Sequence, residues 1–251
     1  EVKETWVVTN RHVILPKIDE NEQIPNRITF HMREIKGDNI IWEPIEVATS
    51  EIKKRLKLHK DSTIDIAILR VGNLFTEHMK YGGNYMSWSA VSDENLPRNC
   101  HISVEVADEV IVIGYPRGYY DKKNVFPIVK SGIIASRWGM KFDGKPIFRI
   151  DAKLFPGSSG SIVITRPLSS TIVEGQLKGY REARFAFLGV YSGSPIVQTE
   201  TMDFDDFTII RVSSLRASGG RHSDSKQFFN IFGEAESICS RILFQKFSDI
   251  T

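Results

Sequence analysis

Short runs of β-branched and aromatic residues, broken by Gly, Pro and Asp, make up most of the hydrophobic pattern of this chain. Thr5-Trp6-Val7-Val8-Thr9 reads as a strand, and residues 27–32 and 39–42 follow with the same character, set apart by Pro25, Gly37-Asp38 and Pro44. A second series begins near Ser103 and runs through residues 110–113, 128–135, 146–150, 161–165, 185–191 and 207–212. Roughly a dozen strands at this spacing predict an all-β chain of barrels or a sandwich. The stretch 73–99, with Gly82-Gly83 and Trp88, reads as the crossing between the two series. Helical spacing is confined to the tail, where Phe228, Ile231, Phe232, Ala235, Ile238 and Ile242 recur at three- and four-residue steps. Ser223 or Asp224 can cap that helix, and Ser218-Gly219-Gly220 gives it a flexible joint. It either docks on the second series of strands or binds a partner.

Composition changes the picture only by exclusion. The hydrophobic share of 41% in 251 residues supports a sizeable core. No apolar run is long enough to cross a bilayer. With 33 basic and 31 acidic residues the net charge is +2, which argues against a general nucleic-acid surface, and Lys53-Lys54-Arg55-Leu56-Lys57 reads as a solvated face. Cys100 and Cys239 are the two cysteines, a count that favours a reducing compartment, the cytoplasm, with the periplasm as the alternative. No pair of Cys or His stands at metal-ligand spacing, so neither a metal nor a cofactor is expected.

Three segments carry chemistry: Thr9-Asn10-Arg11-His12, Asp65-Ile66-Ala67-Ile68-Leu69 and Pro156-Gly157-Ser158-Ser159-Gly160-Ser161. They supply a base, a carboxylate to orient it and a nucleophile, in the order His, Asp, Ser. The separations, 53 residues from His12 to Asp65 and 94 from Asp65 to Ser159, suit two successive β-barrels with the site between them. A serine hydroxyl needs a base within hydrogen-bonding reach and donors for the developing oxyanion. His12 is the candidate base and Asp65 its orienting group. Ser159 is the candidate nucleophile, with the N–H groups of Gly157 and Ser159 as the oxyanion hole. Ser158 is the rival serine, but its frame puts Pro156, which has no N–H, where Ser159 has Gly157.

At these residues the chain resembles a trypsin-like serine protease, and it is most similar to the protease domain of the bacterial high-temperature-requirement (Deg/HtrA) branch. The similarity extends from about the first residue to Ser192 and includes Val110-Ile111-Val112-Ile113-Gly114-Tyr115-Pro116, Val129-Lys130-Ser131-Gly132-Ile133-Ile134-Ala135 and the stretch from Asp151 to Ser161. The resemblance implies a chymotrypsin-like fold of two six-stranded antiparallel β-barrels followed by the helix. The first barrel, with His12 and Asp65, would fill 1–85 and lack its first strand; a connection would span 86–102. The second, with Ser159, would fill 103–217, leaving 218–251 for linker and helix. It also implies a serine endopeptidase acting on protein or peptide substrates, as the effector domain of a larger regulated prokaryotic protein. The alternative is a catalytically inactive module of the same fold that binds extended peptides.

Departures from the family pattern matter for control and specificity. Ser158 stands where animal trypsins carry an aspartate that pairs with a newly cut N-terminus, so control must come from elsewhere: loop order around 114–125, a regulatory domain upstream, or a partner on the C-terminal helix. Lys153, near the expected pocket floor, either selects an acidic substrate side chain or pairs with Asp151 or solvent while its stem lines an apolar pocket with Leu154. The strand Val190-Tyr191-Ser192 is expected to supply the pocket wall and to pair with an extended substrate.

Overall fold

A computed structural model describes residues 4–36, 39–72, 74, 85–86, 90–116, 119–121, 123, 125–193, 209–214, 240–243 and 247–248. The chain is strand-rich and divides into two compact units. The first takes in the described residues of Glu1–Ser92, Asp121–Phe126 and Ser225–Thr251; the second takes in those of Asp93–Tyr120 and Pro127–Asp224. Among the described residues no helix is long and apolar enough to cross a membrane.

In the first unit, β1 (Glu4–Thr9) runs into a single helical turn, α1 (Arg11–Ile14), and then a small hairpin of β2 (Lys17–Ile18) and β3 (Asn21–Glu22). The hairpin turns on Asp19 and Glu20, both at positive φ (50° and 64°), the backbone a two-residue hairpin of right-handed strands requires. Two ten-residue strands follow, β4 (Arg27–Lys36) and β5 (Asn39–Ala48), then α2 (Thr49–Arg55), β6 (Leu56–Leu58), β7 (Ala67–Arg70) and β8 (Tyr85–Met86). Ile28 and Phe30 of β4 and Ile45 and Val47 of β5 are buried at alternate positions, and Ala67, Ile68 and Leu69 of β7 are buried in a row, followed by Val71 just past its end. All but Ile68 meet Val7, Ile14, Leu15 and Ile52 in one core.

β5 runs through Pro44, which the sequence marks as a break. β5 is the edge of its sheet, where proline is tolerated because one side of the strand has no ladder to interrupt.

The second unit starts with a 3-10 turn (Asp93–Asn95) and α3 (Pro97–Cys100), then β9 (Glu109–Gly114), β10 (Ile128–Ile134), β11 (Ile147–Asp151) and β12 (Ile162–Thr165). A long hairpin of β13 (Leu168–Val173) and β14 (Gln176–Arg184) precedes β15 (Phe187–Gly193) and β16 (Ile209–Ser214). Six of these strands close into a barrel in the order β10, β11, β16, β15, β12, β9. Closure leaves no sheet edge to protect, and Val110, Val112, Ile134, Phe148, Ile150, Val163 and Leu188 fill the interior.

The six-stranded ring expected of the first unit is not shown by its described residues. Its described strands do not close into one ring; they form a sheet ordered β17, β1, β7, β6 and another built on β4 and β5, where β17 is Ser240–Leu243. Both sheets contribute to one core. The neighbour of β1 on its outer side is β17, which runs parallel to it, and β18 (Phe247–Ser248) pairs with β4. The C-terminal helix expected over 218–251 lies mostly outside the described residues. Where the tail is described, at β17 and β18, it is strand, and Ile242 lies on the ladder opposite Trp6. The reason is that an open ladder beside β1 offers main-chain partners to any β-former.

One close approach in the barrel sets up a test. A Cβ added at Gly132 of β10 would lie 2.4 Å from both the Ala152 Cβ and the Asp151 carbonyl oxygen, neither of which is the end of a flexible side chain. Gly132→Ala is therefore expected to cost about 1–3 kcal/mol of stability, read as a lower midpoint in thermal or urea denaturation; an unchanged midpoint would contradict this packing.

Candidate active site

β1 carries the chain into the core and releases it at Asn10, which is fully buried. The Asn10 carbonyl accepts from the Val13 and Ile14 N–H groups, starting α1, while its side-chain amide donates to the backbone oxygen of Asp65 at 2.9 Å. This one residue thus fixes the turn that bears His12 against the segment that bears Asp65. On the far side, Ile66 through Leu69 are buried and hold Asp65 just ahead of β7.

The two side chains are brought together. Asp65 Oδ2 lies 2.7 Å from His12 Nδ1, and Asp65 Oδ1 accepts the His12 backbone N–H at 3.1 Å. Both carboxylate oxygens are thereby committed to one residue, which fixes the plane of the carboxylate and the orientation of the ring. An ionised carboxylate can only accept, so this contact assigns the ring proton to Nδ1 and leaves the Nε2 lone pair available as a base. The imidazole is about half exposed and Asp65 less so, at 49% and 23% of their side-chain areas, so the carboxylate sits behind a ring that reaches solvent.

Arg11, next to His12, makes a two-pronged contact with Glu22 of the small hairpin, Nε to Oε1 at 2.7 Å and Nη2 to Oε2 at 2.6 Å. The fork holds the Glu22 carboxyl below the usual carboxylate range through that hydrogen bond. So exposed a pair is worth under about 1 kcal/mol, so its importance is positional: it ties the hairpin to the His12 turn. Asn10 and Arg11 lie in the segment that carries His12, but nothing in the sequence marks their partners, the Asp65 main chain and Glu22. Asp61 lies apart in an exposed turn, bonded to the backbone and hydroxyl of Thr63.

Ser159 lies in the loop joining β11 to β12. Its C-terminal end is pinned to β15 by the Gly160 N–H to the Tyr191 carbonyl and the Tyr191 N–H to the Ser161 carbonyl, both 2.9 Å. Gly114 passes so close to Ser161 that a Cβ there would meet its Oγ at 1.9 Å. Gly157 has φ +81° and Gly160 has φ +85°, left-handed conformations that favour glycine. Ser158 is buried and donates both its hydroxyl, at 2.7 Å, and its N–H, at 3.2 Å, to the Phe155 carbonyl. That engagement leaves it no part as a nucleophile. By contrast, within this unit and among the described residues, the N–H groups of Gly157 and Ser159 and the hydroxyl of Ser159 have no hydrogen-bond partner. Occupied and unoccupied donors alternate along 157–160.

The expected specificity residues fall in different settings. Lys153 is exposed and makes no ion pair with Asp151. Leu154 is half-buried against the barrel core. Val190 and Tyr191 are buried, Tyr191 within that core, and Ser192 is half-buried at an irregularity in the pairing of β15 with β16.

A family model described as a trypsin-like peptidase domain matches residues 2–167, a span that includes His12, Asp65 and Ser159. No curated protein matches the chain.

Proposed function

Because this chain belongs to the trypsin-like peptidase family, we propose that it is a serine endopeptidase, of the high-temperature-requirement type, that cleaves protein or peptide substrates through an acyl-enzyme. The observation that carries the proposal is the doubly bonded His12–Asp65 pair, with its ring nitrogen Nε2 left basic.

Ser159 Oγ attacks the scissile carbonyl carbon as its proton passes to His12 Nε2, and the imidazolium that forms is stabilised by Asp65. The carbonyl oxygen, now negative, accepts from the Gly157 and Ser159 N–H groups. Collapse breaks the C–N bond, and His12 returns the proton to the leaving amine. Water then repeats the sequence against the ester, using the same base and the same donors. The unpaired amides at 157 and 159 support this assignment, and so does the engagement of Ser158 elsewhere. The charge of Lys153 is unpaired with Asp151 and open to a substrate's acidic side chain; Leu154 and Ser192 complete the proposed contact set. The likeness to the high-temperature-requirement branch rests on residues 110–116, 129–135 and 151–161.

The test is covalent. A fluorophosphonate probe, which loses fluoride as its phosphorus bonds to an activated serine, should label the wild-type chain and neither Ser159→Ala nor His12→Ala. Absence of label on every form would instead point to a module that binds extended peptides without cutting them, or to a latent state.

A further inference from the structure

The loop that carries Ser159 is secured unequally. Its C-terminal half is tied to β15 by two main-chain hydrogen bonds, whereas among the described residues the stretch 153–157 makes no main-chain bond to a strand. Pro156 has no N–H to offer. What holds this half is Phe155. Its carbonyl accepts both donors of Ser158. The residue is 40% exposed, and its ring lies beneath the ammonium of Lys130 from β10, 4.1 Å from the ring centroid. The edge of Tyr119, from the turn after β9, meets the same ring at 5.5 Å and 73°. Two separate stretches of chain, β10 and the turn after β9, therefore converge on one aromatic ring two residues before the first proposed oxyanion donor.

A glycine at φ +81° can rotate its preceding peptide cheaply, and rotation would change the direction of the Gly157 N–H relative to that of Ser159. Fixing residue 155 from both its ring and its carbonyl restricts that rotation. We propose that Phe155, clamped by Lys130 and Tyr119, is a positioning residue that holds the Gly157 and Ser159 amides in register for the oxyanion. This inference rests on the peptidase reading given above. It assigns the exposed aromatic pair to rate, through the loop, and not to substrate binding.

The experiment combines two readouts on the full chain. First, the ε-methylene protons of Lys130, followed by NMR, should be shifted upfield by the ring in the wild type and return toward an ordinary lysine value in Phe155→Leu. Second, peptide hydrolysis by Phe155→Leu and Lys130→Met should show kcat reduced by about tenfold, the population shift a partly desolvated cation–π contact is able to impose. KM should change by less than about twofold. Phe155→Tyr, which keeps the ring, should recover most of the wild-type rate.

A Lys130 signal that Phe155→Leu does not move would remove the clamp itself. A raised KM with unchanged kcat would make the ring a substrate contact and overturn the positioning role. A wild type that shows the ring shift but takes no fluorophosphonate would defeat the peptidase reading, and the catalytic role of the clamp with it, while leaving the packing in place.

Discussion

Asp65→Asn is expected to lower kcat by about four orders of magnitude while leaving the fold and the protein's melting behaviour close to those of the wild type. The size of the effect follows from which atoms the carboxylate touches. Oδ1 accepts the His12 backbone N–H and Oδ2 the ring Nδ1. An asparagine fits the same space and its carbonyl can keep the main-chain bond. Its amide then faces Nδ1 as a donor, so the ring must accept there and carry its proton on Nε2, where a base is needed. The imidazole stays in place in the wrong tautomer. Asn10, bonded to the backbone of residue 65 and not to its side chain, keeps the turn assembled. The check is kcat by steady-state peptide hydrolysis, with circular dichroism to establish that the variant is folded. A loss of less than tenfold would mean that the pair seen here does not serve the reaction.

How much of this was legible beforehand depends on whether a residue acts through its neighbours in sequence or across the fold. The barrel strands were readable because each announces itself locally: the runs at 110–113, 128–135 and 146–150 lie within two residues of β9, β10 and β11. His12, Asp65 and Ser159 were readable as residue types in sequence order, which says nothing of distance. Asn10 was not, since its partner is a main-chain oxygen 55 residues away and any side chain there would look like packing. The β13–β14 hairpin escaped for the opposite reason. Ile172 and Leu177 pair across its ladder yet are 69% and 77% exposed, so no buried face imposes the alternation that marks a strand. Its one signal was Glu174-Gly175, both at positive φ, a two-residue turn that the sequence spells plainly. The role of Phe155 was likewise invisible, because an aromatic residue before Pro-Gly suggests nothing until Lys130 and Tyr119 are seen around it.

The second large effect concerns Gly157. Gly157→Ala should reduce kcat by a factor of about 10² to 10³, the cost of losing one oxyanion donor, with KM little altered. At φ +81° an added Cβ is strained, and the loop can relieve that strain by rotating the peptide that bears the 157 N–H. No hydrogen bond within its unit and among the described residues opposes that rotation; only the packing of Phe155 does. Gly175 provides the control. It has nearly the same φ, +78°, in the turn between β13 and β14, and a Cβ there would have no atom within 4 Å. Gly175→Ala therefore imposes a comparable backbone strain at a place with no part in the reaction, and its kcat should stay at the wild-type value. Strain alone cannot then account for a rate lost only at 157. If both variants lost rate equally, the loop would be failing through stability and the oxyanion assignment would fall. If neither did, the Gly157 amide would not be a donor to the transition state.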